Sequence, residues 1–518
     1  MISPFLRTAL VGIGRDPAPS AGPALDGLLP PGIPPERRLL LLAGARAVMR
    51  RAGLRLTTRP APPPAPADSL APCTSRASQL LAELFATGNV PLLSEATALL
   101  AAARQRLRPE LLPAALAVAD PALRRSLMPV LGQRGAWLAR LRPDWSWAAG
   151  AAPPQLSPEE AKTLWEEGSF PERLDLLRRL RATAPETARA LLESSWKAEK
   201  AEQRAQIVEA LGGHLGVADE PFLESVLDDR SASVREEAAP LLARLPGSAL
   251  SRRMEERARG LIARAERPAG LLGKLKALGK GGVTLAVAAP SELDASWERD
   301  GVPRKPPQGV SAKSFWLERT LSLVRPSLWE EQLGTAPHEI ADALRAHEDA
   351  PEVLEGLTRA ALLFRDGRWL AALWDAWYAL PVSQDERLTR VAGDRLRELL
   401  PALAPRDATA RVERLLTAPH GAFAAGDALG ALPVPWTVAL SQSVARALQP
   451  AFSDAEQLHR VMGPLQLAAR GVASAALDTL EAAIAAPPVD APAYVQRALA
   501  EARETIRLRR ILHQEIRP

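Results

Sequence analysis

The chain has 518 residues, 47% of them apolar but only 4% aromatic, with 24% charged and a formal net charge of +5. It is too long for one small core, so it forms several domains or one extended array, and that core has to be built mostly from Ala and Leu, which favour helix. Cys73 is the only cysteine, which excludes an internal disulfide framework and a Cys-based zinc site, and so small a net charge names no polyanionic partner.

Taken in order, residues 3 to 13 read as a short helix, followed by a Gly/Pro loop. PERRLLLLAGARAVMRRAG then gives a helix with Pro35 at its start and Gly53 just past its end. The run TTRPAPPPAPADSLAP, residues 57 to 72, is an extended spacer. Helices are expected at 75–86, 90–107, 110–118 and 121–131. The less regular LGQRGAWLARLRPDWSWA closes one end of these helices. Helices fill 158–266. Within them Arg204, Ile207, Val208 and Leu211 echo Arg235, Ala238, Ala239 and Leu242 at an offset of 31 residues, the length of a two-helix repeat.

The hairpin DEPFLESVLDDRSASVREEAAPLLARLPGS, 219–248, is the clearest unit. Phe222, Leu223, Val226 and Leu227 mark one helical face, and Val234, Ala238, Leu241, Leu242 and Leu245 mark the next. Ser233 and Glu236 between them have capping-box spacing. Such a hairpin cannot cover its own apolar faces, so it needs like neighbours. From 268 to 314 the pattern breaks around the basic GKLKALGKGG, and VTLAVAA is the one run that reads as a strand or a buried turn. Apolar groups there, with Trp297, point to burial rather than a solvated linker. Helices are expected again at 314–324, 337–347, 351–364, 368–380, 384–400, 406–417, 436–447, 454–469, 472–486 and 490–513, the last suited to a terminal cap.

The 219–248 hairpin resembles a HEAT repeat, in which an Asp in the turn and an Arg opening the second helix recur. Asp228 and Arg235 hold those places, and the resemblance implies hydrogen-bonded ladders between neighbouring repeats. LGQRGAWLARLRPDWSWA, LWEEGSFPERLDLLRRL and PSLWEEQLGT extend the likeness to an uncharacterised bacterial family with HEAT-like repeats. That family is often encoded beside MoxR-type AAA+ ATPases, von Willebrand factor A-domain proteins and SWIM zinc-finger proteins. The resemblance carries no catalytic residues. The expected fold is therefore all-α, an α-solenoid of HEAT-like hairpins in two halves. Residues 1–148 form an N-terminal helical region, 149–267 the repeats, 268–314 a connecting segment and 315–518 a C-terminal repeat-like region.

Motifs for chemistry are few. The six histidines are scattered, and His338-Glu339 and His347-Glu348 lack the HExxH spacing, so no metal or cofactor is expected. GKLKALGKGG fails as a P-loop, with Leu278 where the second Gly belongs and Gly281 where a hydroxyl should follow Lys280. Residues 252–280 carry surplus positive charge. Arg252, Arg253, Arg257, Lys274, Lys276 and Lys280 could neutralise phosphates, although the solvated face of a helix running to Arg267 accounts for them as well. Trp369, Trp374 and Trp377 share one helix. Core packing is the simpler account, and an aromatic anchor in a partner groove the functional one. The N-terminus has no basic secretion-signal region and no window reads as a membrane span, so a cytoplasmic protein is expected. The preferred function is a non-enzymatic scaffold binding a protein partner, a MoxR-type ATPase or A-domain protein. The alternative is a HEAT-like protein that binds nucleic acid through 252–280.

Overall fold

A computed structural model describes residues 4–17, 27, 29–52, 63–149, 157–265, 283–380, 386–417, 425–453, 458–484 and 492–517. It is mostly helical, and the described residues hold only two small two-stranded sheets. The chain divides into two compact units, 1–66 and 67–518, so the division falls inside the Pro-rich run 57–72. In the small unit the helices Pro4–Val11 and Pro35–Ala52 meet, with Leu39 and Leu42 buried against Ile13, Leu29, Ala43 and Ala45.

The large unit opens with an extended segment tied to residues 105–133. Ala71–Pro72 pairs in parallel with Gln105–Arg106, and the Asp68 carboxylate accepts from the Gln133 backbone N–H at 2.7 Å and lies 3.3 Å from Arg106 Nε. Gly132, at φ +67°, is required here, because a Cβ would stand 2.5 Å from Asp68 Oδ1. Helix Ser75–Thr87 starts where Thr74 Oγ1 accepts the Ala77 N–H and stops at Gly88 in the left-handed region. Val90–Ala102 starts at Asn89 in the same way. These helices close around Leu81, Leu92, Leu100, Leu112 and Leu127.

Three helical hairpins come next: Pro158–Glu167 with Phe170–Thr183, Pro185–Ser195 with Ala201–Leu211, and Glu220–Val226 with Ala232–Arg244. Ser157 with Glu160, and Ser169 with Glu172, form the caps that start the first pair. The second helices of successive hairpins pack on one another. Their registers repeat. Trp165, Trp196 and Leu227 are equivalent at intervals of 31 residues, as are Arg173, Arg204 and Arg235, and Leu180, Leu211 and Leu242. Leu211, Leu227 and Leu242 are fully buried.

Local readings are corrected at two places. Helix Ala232–Arg244 starts at Ser231, so Ser233 lies inside its first turn and does not cap; Glu236 pairs instead with Arg319 at 2.8 Å. The basic helix also ends early, at Ala258, because Gly260 turns the chain at φ +91°. Ile262–Arg264 then forms an antiparallel ribbon with Leu285–Val287, the apolar run of the connecting segment. One buried core continues from Ala161 through Ile262 and Leu285 to Ile506.

The C-terminal helices add Ser327–Leu333 and Gly426–Ala431, too short to leave a periodic signal, to those expected. Ala312–Ser322 and Ala350–Phe364 approach so closely that a Cβ on Gly356 would meet Glu318 O at 2.8 Å. The last helix, Ala493–Glu515, does not cap an end. Its Val495, Leu499, Ala502 and Ile506 join the main core, and Leu512 packs among the N-terminal helices of the same unit.

Candidate functional site

A ladder of ions runs across the three hairpins, built from the repeated arginine. Arg173 donates to Glu199 at 2.5 and 3.3 Å. Arg204 donates to the Glu199 backbone carbonyl at 2.6 Å and to Asp229 Oδ1 at 3.0 Å. Arg235 donates to the Asp229 carbonyl at 2.7 Å and the Glu298 carbonyl at 3.1 Å. Each arginine thus takes a backbone acceptor from its own turn or a carboxylate from the next, locking neighbour to neighbour. Arg235 holds the place the resemblance implies. Asp228 does not: it is largely exposed and receives Arg299 at 2.7 Å, while its neighbour Asp229 is the rung. Asp229 is turned inward because its carboxylate also accepts the Ser231 N–H at 2.9 Å. The sequence pattern assigns no role to Arg173 and Glu199 from two copies alone, although the 31-residue offset and the Trp165–Trp196 pair mark a third.

Arg181 and Asp219 form a second, fully buried node. Arg181 donates to both Asp219 oxygens at 2.9 and 2.6 Å and to the His214 carbonyl at 2.6 Å, and Arg189 reaches Asp219 Oδ1 at 2.9 Å. Burial opposes ionisation of Asp219, but hydrogen bonds from Arg181, the Gly216 N–H and Arg189 together outweigh it and hold the carboxyl below its ordinary range.

The third node joins distant parts of the large unit. Arg509, with no exposed side-chain surface, grips Glu95 at 2.7 and 2.9 Å and donates to the carbonyls of Ala469 and Val472. His513 Nε2 stands 2.8 Å from Glu95 Oε1. Glu95 too is held below its ordinary range. Burial is the largest influence and opposes this, and the hydrogen bonds from His513 and Arg509 reverse it.

Within the described part of the basic stretch, Arg253 and Arg257 are paired internally. Arg253 donates to Asp300 at 2.8 and 2.9 Å and to Glu224 at 3.1 Å. Arg257 stands 2.8 Å from Asp300 and lies over the Trp297 ring at 4.8 Å. Arg252 is exposed. Lys274, Lys276 and Lys280 lie outside the described residues.

The tryptophans are core, which corrects their reading as an anchor presented to a partner: Trp369, Trp374 and Trp377 are at most 1% exposed. Trp369 Nε1 donates to Glu330 at 3.0 Å and Trp377 Nε1 to Thr358 at 2.9 Å. Trp374 stacks on Tyr378 with centroids 5.3 Å apart, and its Nε1–H has no acceptor. Cys73 is buried, and burial raises its thiol pKa, which disfavours the nucleophilic thiolate. Among the described residues no group of three His, Cys, Asp or Glu is placed to hold a metal. No helix among them is long and apolar enough to cross a membrane.

Fold and ion ladder together define an all-α protein containing successive helical hairpins in register. A family model described as a family of unknown function (DUF5691) matches residues 4–516, and the chain belongs to that family. No curated protein matches. Among solved structures, a crystal structure of an engineered protein from a structural genomics consortium is similar at 15% identity. It covers 69% of this chain and 81% of its own, at a TM-score of 0.24.

Proposed function

We propose that the chain is a non-enzymatic α-solenoid scaffold of HEAT-like hairpins that binds a protein partner in the cytoplasm. The partner is a MoxR-type AAA+ ATPase or an A-domain protein. The observation that carries this reading is the ladder Arg173–Glu199–Arg204–Asp229–Arg235, repeated with the 31-residue register. Stacked units that touch only their neighbours offer an extended surface, and locking each to the next fixes its shape, as a scaffold needs. Of the charged residues that draw attention in the sequence, Arg235 belongs to this lock. The pairing of Arg253 and Arg257 with Asp300 lowers the positive charge free for phosphates, which favours a protein over a nucleic acid.

The test mixes the purified full chain with the purified MoxR-type ATPase and A-domain protein of its host and follows complex formation by light scattering after gel filtration. Co-elution with either at micromolar concentration is expected. A chain that binds neither, but holds duplex DNA with an affinity falling steeply as salt rises, overturns the proposal.

A further inference from the structure

Between helix Gly367–Ala379 and helix Glu386–Leu399 lies a cleft of about 290 Å³, which Leu415 and Ala428 complete on its far side. Its apolar lining is Trp374, Leu396, Leu415 and Ala428, and two basic residues of one helix, Arg390 and Arg397, stand with it. Gly393 lies between those arginines, and a Cβ there would meet no atom within 4 Å, so the cleft is open at that point.

Two features of the cleft are unsatisfied as it stands. The Trp374 indole N–H is desolvated without an acceptor, a condition that costs about 1–3 kcal/mol. Its ring is covered by stacked Tyr378 and by the Arg411 guanidinium at 5.6 Å. Arg390 is exposed, and among the described residues no carboxylate pairs with it. Arg397, by contrast, already holds Asp394.

We propose that this cleft is a binding site for a small amphiphilic carboxylate, its apolar body against Trp374, Leu396 and Leu415 and its carboxylate on Arg390. Pockets that fix a small ligand have this composition, an apolar lining with a few polar groups that set orientation. A carboxylate complements a guanidinium in two parallel hydrogen bonds. The proposal does not depend on the scaffold reading.

The experiment titrates the full chain with hydrocinnamate, using hydrocinnamyl alcohol as the neutral control, in ligand-observed NMR with each variant's melting temperature measured alongside. Saturable binding of the acid is expected, weaker by about tenfold in Arg390→Ala and for the alcohol, as loss of one charge-assisted pair implies. Gly393→Phe fills the open space and abolishes binding with the melting temperature retained. Equal binding of acid and alcohol, undiminished binding in either variant, or no saturable binding at millimolar acid overturns the proposal. Should Gly393→Phe fail to fold, Arg390→Ala, which alters only an exposed side chain, decides alone.

Discussion

The hairpins between Ser157 and Leu245 and the seam where Val90–Ala102 meets Ala493–Glu515 are fastened by the same chemistry at opposite extremes of chain separation. In the hairpins a guanidinium reaches a carboxylate 25 or 26 residues away. At the seam Arg509 reaches Glu95 across 414 residues. Loop-closure entropy makes the first kind of contact accessible early and the second only once the intervening chain has organised. The hairpins are thus a local, repeating structure, while the seam is a single closure on which the N-terminal helices of the large unit depend.

The largest effects should come from stranding a buried carboxylate, and they should fall in different places. Arg509→Met leaves Glu95 with His513 alone, and Arg181→Met leaves Asp219 with Arg189 and the Gly216 N–H; each should lower stability by about 3–5 kcal/mol in denaturant unfolding. Hydrogen exchange sharpens the contrast. Arg509→Met should expose amides of 75–139 while 158–244 stays protected, and Arg181→Met the reverse. Identical exchange maps would mean that the large unit unfolds as one body and that the two regions do not differ.

Within the hairpins, Leu227→Ala and Leu242→Ala should each cost about 2–5 kcal/mol, since both side chains are fully buried and truncation leaves a cavity. Losses well below that at both positions would show that the helices close over the gap.

Acid should loosen both regions. Asp219 and Glu95 titrate below their ordinary values of 3.8 and 4.5 in the folded chain, so each adds stability above those values and loses it as pH falls through the lower folded pKa. Unfolding free energy measured downward from pH ~5 should therefore decline. In Glu95→Gln the decline should be shallower, and an unchanged slope would remove Glu95 from the seam's account.

A rung of the ladder should matter less than a buried node. Arg204→Ala should cost about 1.5–3 kcal/mol, the range for hydrogen bonds to a charged group. The smallest effect belongs to Arg510→Ala on the outer face of the last helix, where Arg510 meets Asp478 and Glu481 near solvent. That loss should stay below about 1 kcal/mol.

Helix content, the positions of most helices and the register of the second and third hairpins could be read directly, because Ala/Leu periodicity and Pro or Ser starts are local properties of the chain. Arg235 as a rung was implied by the resemblance to a HEAT repeat. Arg173 was within reach of the same reading, since its offset from Arg204 equals that of Arg204 from Arg235. Whether Asp228 or Asp229 faces the neighbouring hairpin was not, because adjacent residues of one turn share composition and spacing, and only the Ser231 N–H and the Arg204 guanidinium select between them. The tryptophans show the same division. Their shared helix was evident, but their burial is decided by other helices, which also carry the acceptors of Trp369 and Trp377 at Glu330 and Thr358. The amino-acid order by itself determined which segments are helical and which of their faces are apolar. Tertiary structure alone decided which charges meet, most clearly that Arg509 of the last helix neutralises Glu95, because an ion pair between distant residues leaves no periodic trace in either partner's neighbourhood.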